Sequence, residues 1–385
     1  MPFLPDTAPS PSPARVRPGR LARLLGPAAA LAVLAALSTL CACPLAGPRP
    51  GEDSLLVMSY NVKSLFDAAD SGSEFPEYSV AEGRWDEARY KRRLSLLAEV
   101  VLAAAPGKRG PDLLCLAEIE NRGVLRDLAA GPLKGSGYRE TALVEAPGQA
   151  FQCGLVSRLP LLSLKAHGLS AGGSEGRYLL EAEVAWDGPG RGSPGPGEPA
   201  ARPLVVFLCH WKSKVGGAEA TEAERREAAA LLAGRAAARL AADPACELLA
   251  CGDFNESPDE YLRTGMRYAT ALWPDSAGAP PGPALVVAGE PGRAGLGEGR
   301  AALYSPWAAA AGYSYVHEGR EERIDGFLLG PGLLDGEGLS LSAFAPMDEA
   351  FLLGSDGAPR AWSSSSGSGY SDHLPLLLEL SREGR

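Results

Sequence analysis

The stretch "LLACGDFNESPDE", residues 248–260, reads as a core strand that ends in a burst of polar atoms. Leu248, Leu249, Ala250 and Cys251 are apolar, Gly252 breaks the run, and Asp253 and Asn255 follow with only Phe254 between them. Side chains two residues apart on a strand share a face. The spacing therefore predicts that Asp253 and Asn255 point at one object while Phe254 turns into the core. A carboxylate and an amide delivered to the end of a buried strand need partners. A turn, a metal ion or a substrate would each supply them, and the rest of the chain decides which.

Other apolar runs end the same way. "SYNV" delivers Asn61, "LAEIEN" Glu118, "LCHWKSK" His210 and "RIDG" Asp325, while "YSDHLPL" sets Asp372 and His373 just before a strand. Singly each is commonplace: a strand-end Glu is usually a solvated edge, and "SDH" alone is an N-cap or Asx-turn. Together they bring carboxylates, amides and two of the chain's 4 histidines to strand termini. Hydrolysis of a phosphate ester needs this set. A hard dication takes oxygen ligands and is held by carboxylates such as Glu118, and it neutralises charge developing on the phosphoryl oxygens. Histidine moves protons near neutral pH. A carboxylate beside it, as Asp325 would be for His373, fixes the tautomer. Asparagines orient water or phosphate without adding charge.

The chain's 385 residues are 45% hydrophobic, enough for a proper core and too many for a disordered chain. A formal net charge of -10 excludes a dedicated nucleic-acid coating protein, whose affinity rests on many phosphate contacts. It leaves room for an enzyme that touches nucleic acid through a local basic patch. Strand-like runs occupy 55–62, 112–120, the neighbourhood of 155, 178–186, 204–213, 248–253 and 374–380. Residues 86–105 and 221–242 have helical spacing, the second with Thr221 and Glu224 placed as a capping box. Residues 312–330 read as a hairpin-like pair, and 187–203, 276–300 and 354–370 as loops. No repeat and no composition shift marks a second domain. Near-continuous apolar strands imply sheets covered on both faces, hence a layered α/β domain over residues 54–385.

The N-terminus is read apart from the fold. Arg15, Arg17, Arg20 and Arg23 precede an apolar run that meets "LCAC", residues 40–43. A basic region before an apolar one is an export signal. The box resembles the processing site of bacterial lipoproteins, and Ala42 before Cys43 favours Cys43 as the lipidated residue. Residues 1–43 are thus expected to be a signal peptide ending at that Cys, and 44–53 a tether. The expectation is an exported protein anchored to a cell-envelope membrane through N-terminal lipid. Cys115, Cys153, Cys209, Cys246 and Cys251 remain beyond the leader and match no zinc spacing. They read as buried free thiols, although export also permits a disulfide.

The ordered set "YNV", "AEIEN", "HWKSK", "GDFNESP", "RIDG" and "YSDHLPL" resembles the endonuclease/exonuclease/phosphatase superfamily, over roughly residues 54–381. The resemblance implies a DNase I-like, four-layer α/β/β/α sandwich with two central mixed β-sheets. It implies a Mg2+-dependent phosphoester hydrolase, with Mn2+ or Ca2+ as other ions the site would take. Carried over residue by residue, Glu118 is the principal metal ligand, Asn61 lies by the metal and the phosphate, and Asp372 is on the metal side. His210 contacts the phosphate. Asp253 and Asn255 orient or activate the water, and Asp325 pairs with His373. The pattern leaves the base open between Asp253 and His373. Arg177 and Tyr178 fall where relatives often place a phosphate-contacting Arg. Relatives often carry Asn before the motif histidine where this chain has Cys209, which a strand would turn to the opposite face.

The expected substrate is DNA or RNA, and the expected activity that of a nuclease acting as a monomer. Lys212 and Lys214 would share a face with His210 if that strand continues, while Lys91, Arg92 and Arg93 read as a solvated helix face. A phosphodiesterase or phosphatase acting on a lipid headgroup or small phosphorylated molecule is the second reading. A bilayer enzyme is expected to expose an aromatic hairpin, for which "AFAPMDEAFLLG" (343–354) is the one candidate. A non-catalytic binding module is the third, and the filled catalytic positions argue against it.

Overall fold

Alternation along two strands sets the layers. Strand β1 (Ser54–Leu65) sends Leu55 and Val57 to one side and Leu56, Met58 and Tyr60 to the other, and both sides are buried. Strand β8 (Leu248–Asp253) does the same, with Leu249 and Cys251 on one side and Leu248 and Ala250 on the other. One side of each strand shares a single apolar cluster, so two sheets pack face to face there. The outer side of β1 is covered by helices α1 (Glu87–Ala103) and α2 (Arg122–Ala130). The outer side of β8 is covered by α3 (Glu222–Ala242). The layers are α/β/β/α.

A computed structural model describes residues 54–105, 107, 109–146, 148–168, 178–186 and 202–382. The readings made for residues 1–53, including lipidation at Cys43, and for Arg177 lie outside them. Among the described residues the first sheet runs β16-β17-β1-β2-β4-β3. Its other strands are β2 (Leu113–Ile119), β3 (Glu140–Leu143), β4 (Gln152–Ser157), β16 (Ser340–Pro346) and β17 (Leu376–Ser381). The second runs β5-β6-β7-β8-β15-β12-β10-β9, with β11 beside β12. It is built from β5 (Leu161–Gly168), β6 (Tyr178–Val184), β7 (Leu204–His210), β9 (Leu272–Pro274), β10 (Leu285–Ala288), β11 (Gly295–Gly297), β12 (Arg300–Tyr304) and β15 (Asp325–Leu329). A separate hairpin joins β13 (Tyr315–His317) to β14 (Arg320–Glu322). A short helix, α4 (Glu260–Arg263), follows β8.

The pairing directions place the polar strand ends together. Strands β1 and β2 are parallel, as are β7 and β8, so Asn61, Glu118, His210 and Asp253 all lie at carboxyl ends. Strand β15 runs antiparallel to β8 and begins on Asp325, opposite Asp253. Strand β17 runs antiparallel to β1, so the residues just before it, Asp372 and His373, reach the same edge. Parallel neighbours need a crossover, and helices α1 and α3 supply it.

Several expectations change. Residues 276–300 are not simply loop, because β10 and β11 form there. Residues 312–330 split between the small hairpin and β15, which belongs to the main sheet. Thr221 caps nothing through its side chain; its hydroxyl donates backward to Gly217 O at 2.8 Å, and no capping box forms. Strand β7 stops at His210, so Lys212 and Lys214 do not extend its face, and Lys214 pairs instead with Glu260 at 2.9 Å and Glu322 at 3.4 Å. Segment 354–370 is pinned by buried Trp362 rather than free as a linker. The candidate bilayer hairpin is partly buried: Phe344 sits 4.8 Å from the Trp307 ring, and Leu352 is in the core. All five described cysteines are buried and free.

Gly252 is the one backbone position on which the β7–β8 pair depends. Its φ is +133°, and a Cβ there would lie 1.9 Å from Cys209 O. Gly252→Ala should therefore destabilise the fold by roughly 3 kcal/mol through strain and overpacking. A urea melt that left the variant as stable as the parent would refute this placement of the strands.

Candidate active site

One half of the site begins where β1 and β2 lose register between Asn61 and Leu65. Two consecutive residues there, Lys63 (φ 52°) and Ser64 (φ 59°), adopt the left-handed conformation. Glu118 (φ 63°) and Asn255 (φ 51°) do the same nearby. For a non-glycine residue this costs about 1–2 kcal/mol each, so local contacts must offset it. Ser64 N–H donates to Glu118 Oε2 at 2.9 Å, and Lys63 Nζ meets Asp372 Oδ2 at 2.7 Å. Ser371 Oγ donates to Asn61 O at 2.7 Å, which ties the segment before β17 onto β1.

The amide of Asn61 joins the two sheets. Its Nδ2 donates to Glu118 Oε1 at 3.0 Å and to Asp253 Oδ2 at 3.1 Å, while its Oδ1 accepts from Lys63 N at 3.0 Å. His210 Nε2 lies 3.9 Å from both Glu118 Oε1 and Asp253 Oδ2. Asp253 closes its own turn by accepting from Asn255 N at 2.8 Å. The chain has already left the strand there, so Asn255 does not share a strand face with Asp253. Its side chain turns to Trp211 O at 3.1 Å. Phe254 does enter the core, 4.9 Å from the Trp211 ring.

The other half is a carboxylate–imidazole pair. His373 Nδ1 is 2.7 Å from Asp325 Oδ2, both residues are buried, and the Tyr315 ring lies 4.8 Å from the imidazole. Burial disfavours the imidazolium, but Asp325, Asp253 and Asp372 outweigh it and raise His373 from 6.5 to about 10. Burial and the Asp325 carboxylate likewise raise Asp253, against the charge of His373 and the hydrogen bonds from Asn255 and Asn61. Asp372 moves the other way. Burial opposes its ionisation, and the charges of His373 and Lys63 overcome that and lower it.

Ligating atoms of Asp253, Asp325 and His373 lie within 4.8 Å of one another. The His373–Asp325 hydrogen bond commits one of these carboxylate oxygens, and a charged imidazole repels a cation. Outside that pair, Glu118 and Asp372 offer further carboxylate oxygens, while the Asn61 oxygen already accepts from Lys63 N. Carboxylate and amide oxygens suit a hard divalent ion rather than a thiophilic one. Tyr178 lines a cavity of about 100 Å³ with His210, Phe151 and Gln152, but its hydroxyl is committed to Val144 O. Lys63, Ser64 and Tyr315 went unread in the sequence. The polar "KS" directly after "YNV" was the available signal for the first two.

Comparison with known proteins follows the geometry. A model of the Endonuclease/Exonuclease/phosphatase family matches residues 58–373. Among solved structures, truncated Caenorhabditis elegans TDP2 is 14% identical with a TM-score of 0.49, covering 85% of this chain and 98% of that one. The human Nocturnin catalytic domain with bound sulfate is 16% identical, TM-score 0.47, covering 86% and 95%. An endonuclease/exonuclease/phosphatase family protein from Bacteroides thetaiotaomicron is 15% identical, TM-score 0.45, covering 86% and 98%. No curated protein matches the chain.

The His373 shift carries a linkage with a definite sign. A histidine whose folded pKa is raised stabilises the fold fully below 6.5, and the contribution fades as pH rises toward about 10. In metal-free protein, the loss of Tm in His373→Gln should be largest below that lower limit and shrink steadily above it. A Tm difference that grew with alkalinity would contradict a charged His373.

Proposed function

The chain belongs to the endonuclease/exonuclease/phosphatase family and is a metal-dependent phosphoester hydrolase, and on that premise we propose that it is a nuclease that cleaves phosphodiester bonds of DNA or RNA. The observation that carries the hydrolytic reading is the Asn61 amide bonded at once to Glu118 and Asp253, beside the His373–Asp325 pair. Glu118, with Asn61 and Asp372, would hold the divalent ion, Mg2+ by preference. When bound, that ion supplies neutralisation of charge on the phosphoryl oxygens.

The chain's own residues divide the remaining work. Asp253 is the general base: its carboxylate is held by Asn61 and by Asn255 N–H, and its raised pKa brings it closer to neutral pH. His373 is already charged at neutral pH, so it donates from Nε2 to the phosphate rather than accepting a proton. Asp325 fixes its tautomer through Nδ1. His210 stands between Glu118 and Asp253, within reach of phosphate or leaving group. Half-buried Phe344, packed on Trp307, and buried Leu352 disfavour a bilayer enzyme.

A soluble phosphorylated molecule is the second reading, favoured by one observation. The segment flanking Glu118 carries Asp67, Asp70, Glu74 and Glu77, and Asp67 N donates to Glu120 at 2.7 Å. Such an acidic flank repels a long polyanion more than a small one. Protein lacking residues 1–43 should nick plasmid DNA or cut RNA with Mg2+. EDTA should abolish the cleavage, and Asp253→Asn or His373→Ala should slow it by about 10²–10⁴-fold. Hydrolysis of a soluble phosphate ester with no cutting of either polymer would keep the mechanism and replace the substrate. No turnover on any of these, or full turnover in Asp253→Asn, would defeat the proposal.

Export and lipid anchoring belong to the same proposal, supported by the Arg-rich leader and the "LCAC" box. Full-length protein should fractionate with membranes, and Cys43→Ala should release it; equal membrane association of the two proteins would exclude lipidation there.

A further inference from the structure

Arg93 belongs to the run read as a solvated helix face, yet only its neighbours Lys91 and Arg92 are exposed. Arg93 itself is 0% exposed. Among the described residues no carboxylate lies within ion-pair distance of it. Its Nη2 donates to the carbonyl of Val62 and, at 3.2 Å, to that of Lys63. The guanidinium lies 4.7 Å from the centre of the Trp362 ring. Nε and Nη1 have no hydrogen-bond partner. A fully buried cation without an ion-pair partner is costly to fold around, so its position calls for a reason.

The reason lies in what it grips. Val62 and Lys63 form the turn whose next N–H, that of Ser64, holds Glu118 at 2.9 Å. Lys63 holds Asp372 at 2.7 Å. Trp362 belongs to the segment that runs into Ser371, Asp372 and His373, and Ser371 is fastened to Asn61 at 2.7 Å. One guanidinium thus touches the turn whose N–H holds Glu118 and the segment that leads to Asp372. Burial lowers its pKa to about 10, and the fields of Tyr60, Tyr78, Asp372 and Glu118 offset part of that fall.

We propose that Arg93 is a positioning residue for the divalent-cation site: from behind, it locks the 62–64 turn against the Trp362 segment so that Glu118 and Asp372 face one ion. The planar guanidinium matters as well as the charge: Nη2 alone holds both carbonyls while the plane lies over the Trp362 ring, an arrangement an ammonium cannot copy. This rests on the proposed metal role of Glu118 and Asp372.

The test is direct Mn2+ titration of metal-free protein, followed by calorimetry, with hydrolysis of bis(p-nitrophenyl) phosphate and thermal melts alongside. Arg93→Lys keeps the charge and loses the fork; Trp362→Leu removes the stack; Arg92→Ala is the control on the same helix. The Lys variant should fold, bind Mn2+ about 10- to 100-fold more weakly, and lose kcat with little change in KM. Trp362→Leu should shift affinity the same way, and Arg92→Ala should bind as the parent does. A folded Arg93→Lys with parental Mn2+ affinity overturns the proposal. So does an Arg93→Lys that cannot fold, because the residue would then hold the domain rather than the turn. A parent protein that binds no Mn2+ would instead defeat the metal reading of the site itself.

Discussion

Two sheets each carry half of a reacting centre, and the Asn61 side chain joins the halves. Its single amide nitrogen donates to Glu118 on β2, within its own sheet, and across the sheet-to-sheet boundary to Asp253 on β8. The boundary is otherwise apolar, closed by Leu55, Val57, Cys115, Cys251 and Phe327. Apolar packing of this kind is non-directional, so it sets the distance between sheets without choosing a register. A hydrogen bond with two fixed acceptors does choose one. An amide suits the post because it brings no charge to a place already crowded with carboxylates. Its oxygen, bonded to Lys63 N, keeps the nitrogen pointed inward.

Strain gathers around that joint. Of the non-glycine residues with positive φ, Lys63, Ser64, Glu118 and Asn255 border the site. Each strained residue is held by a contact that a relaxed backbone would lose: Ser64 N–H to Glu118, Lys63 to Asp372, Asn255 N–H to Asp253. Cooperation of this sort makes the site a unit, in which strain at one residue is compensated by contacts of the next. The opposed shifts of His373 and Asp372 follow from the same crowding, since each favours the charge of the other.

Most of the site was legible as strand ends. Pairing direction then gathers Asn61, Glu118, His210, Asp253, Asp325 and His373 at one edge, and period-two alternation buries Phe254. What stayed illegible depends on the backbone leaving regular geometry. Asn255 was read as a strand neighbour of Asp253, and it lies past the strand in a left-handed turn. Thr221 and Glu224 have the letters of a capping box, but the Thr hydroxyl is taken by Gly217 O. Short strands β9 to β12 lie in a Gly- and Pro-rich region where propensity argues for loop, and pairing with neighbours overrides it. Arg93 is the sharpest case. Its composition says solvent, and helical periodicity puts it beside buried Leu94 and Leu97 on α1. Three adjacent basic residues conceal that the third points inward.

Charge balance explains why so acidic a centre accompanies a stable core. Glu118, Asp253, Asp325 and Asp372 converge at one edge, and carboxylates this close repel one another. Three cations answer them from three directions: His373 from the interior, bonded to Asp325; Lys63 from the half-exposed rim, bonded to Asp372; and Arg93 from beneath the turn, bonded to no carboxylate. Their different tethers imply different functions. The histidine is fixed by a short hydrogen bond and keeps its orientation through a reaction. The lysine stands on a flexible stem with its side chain 34% exposed, so its position is the least fixed of the three. The arginine is walled in, and although burial lowers its pKa to about 10 it remains charged at neutral pH.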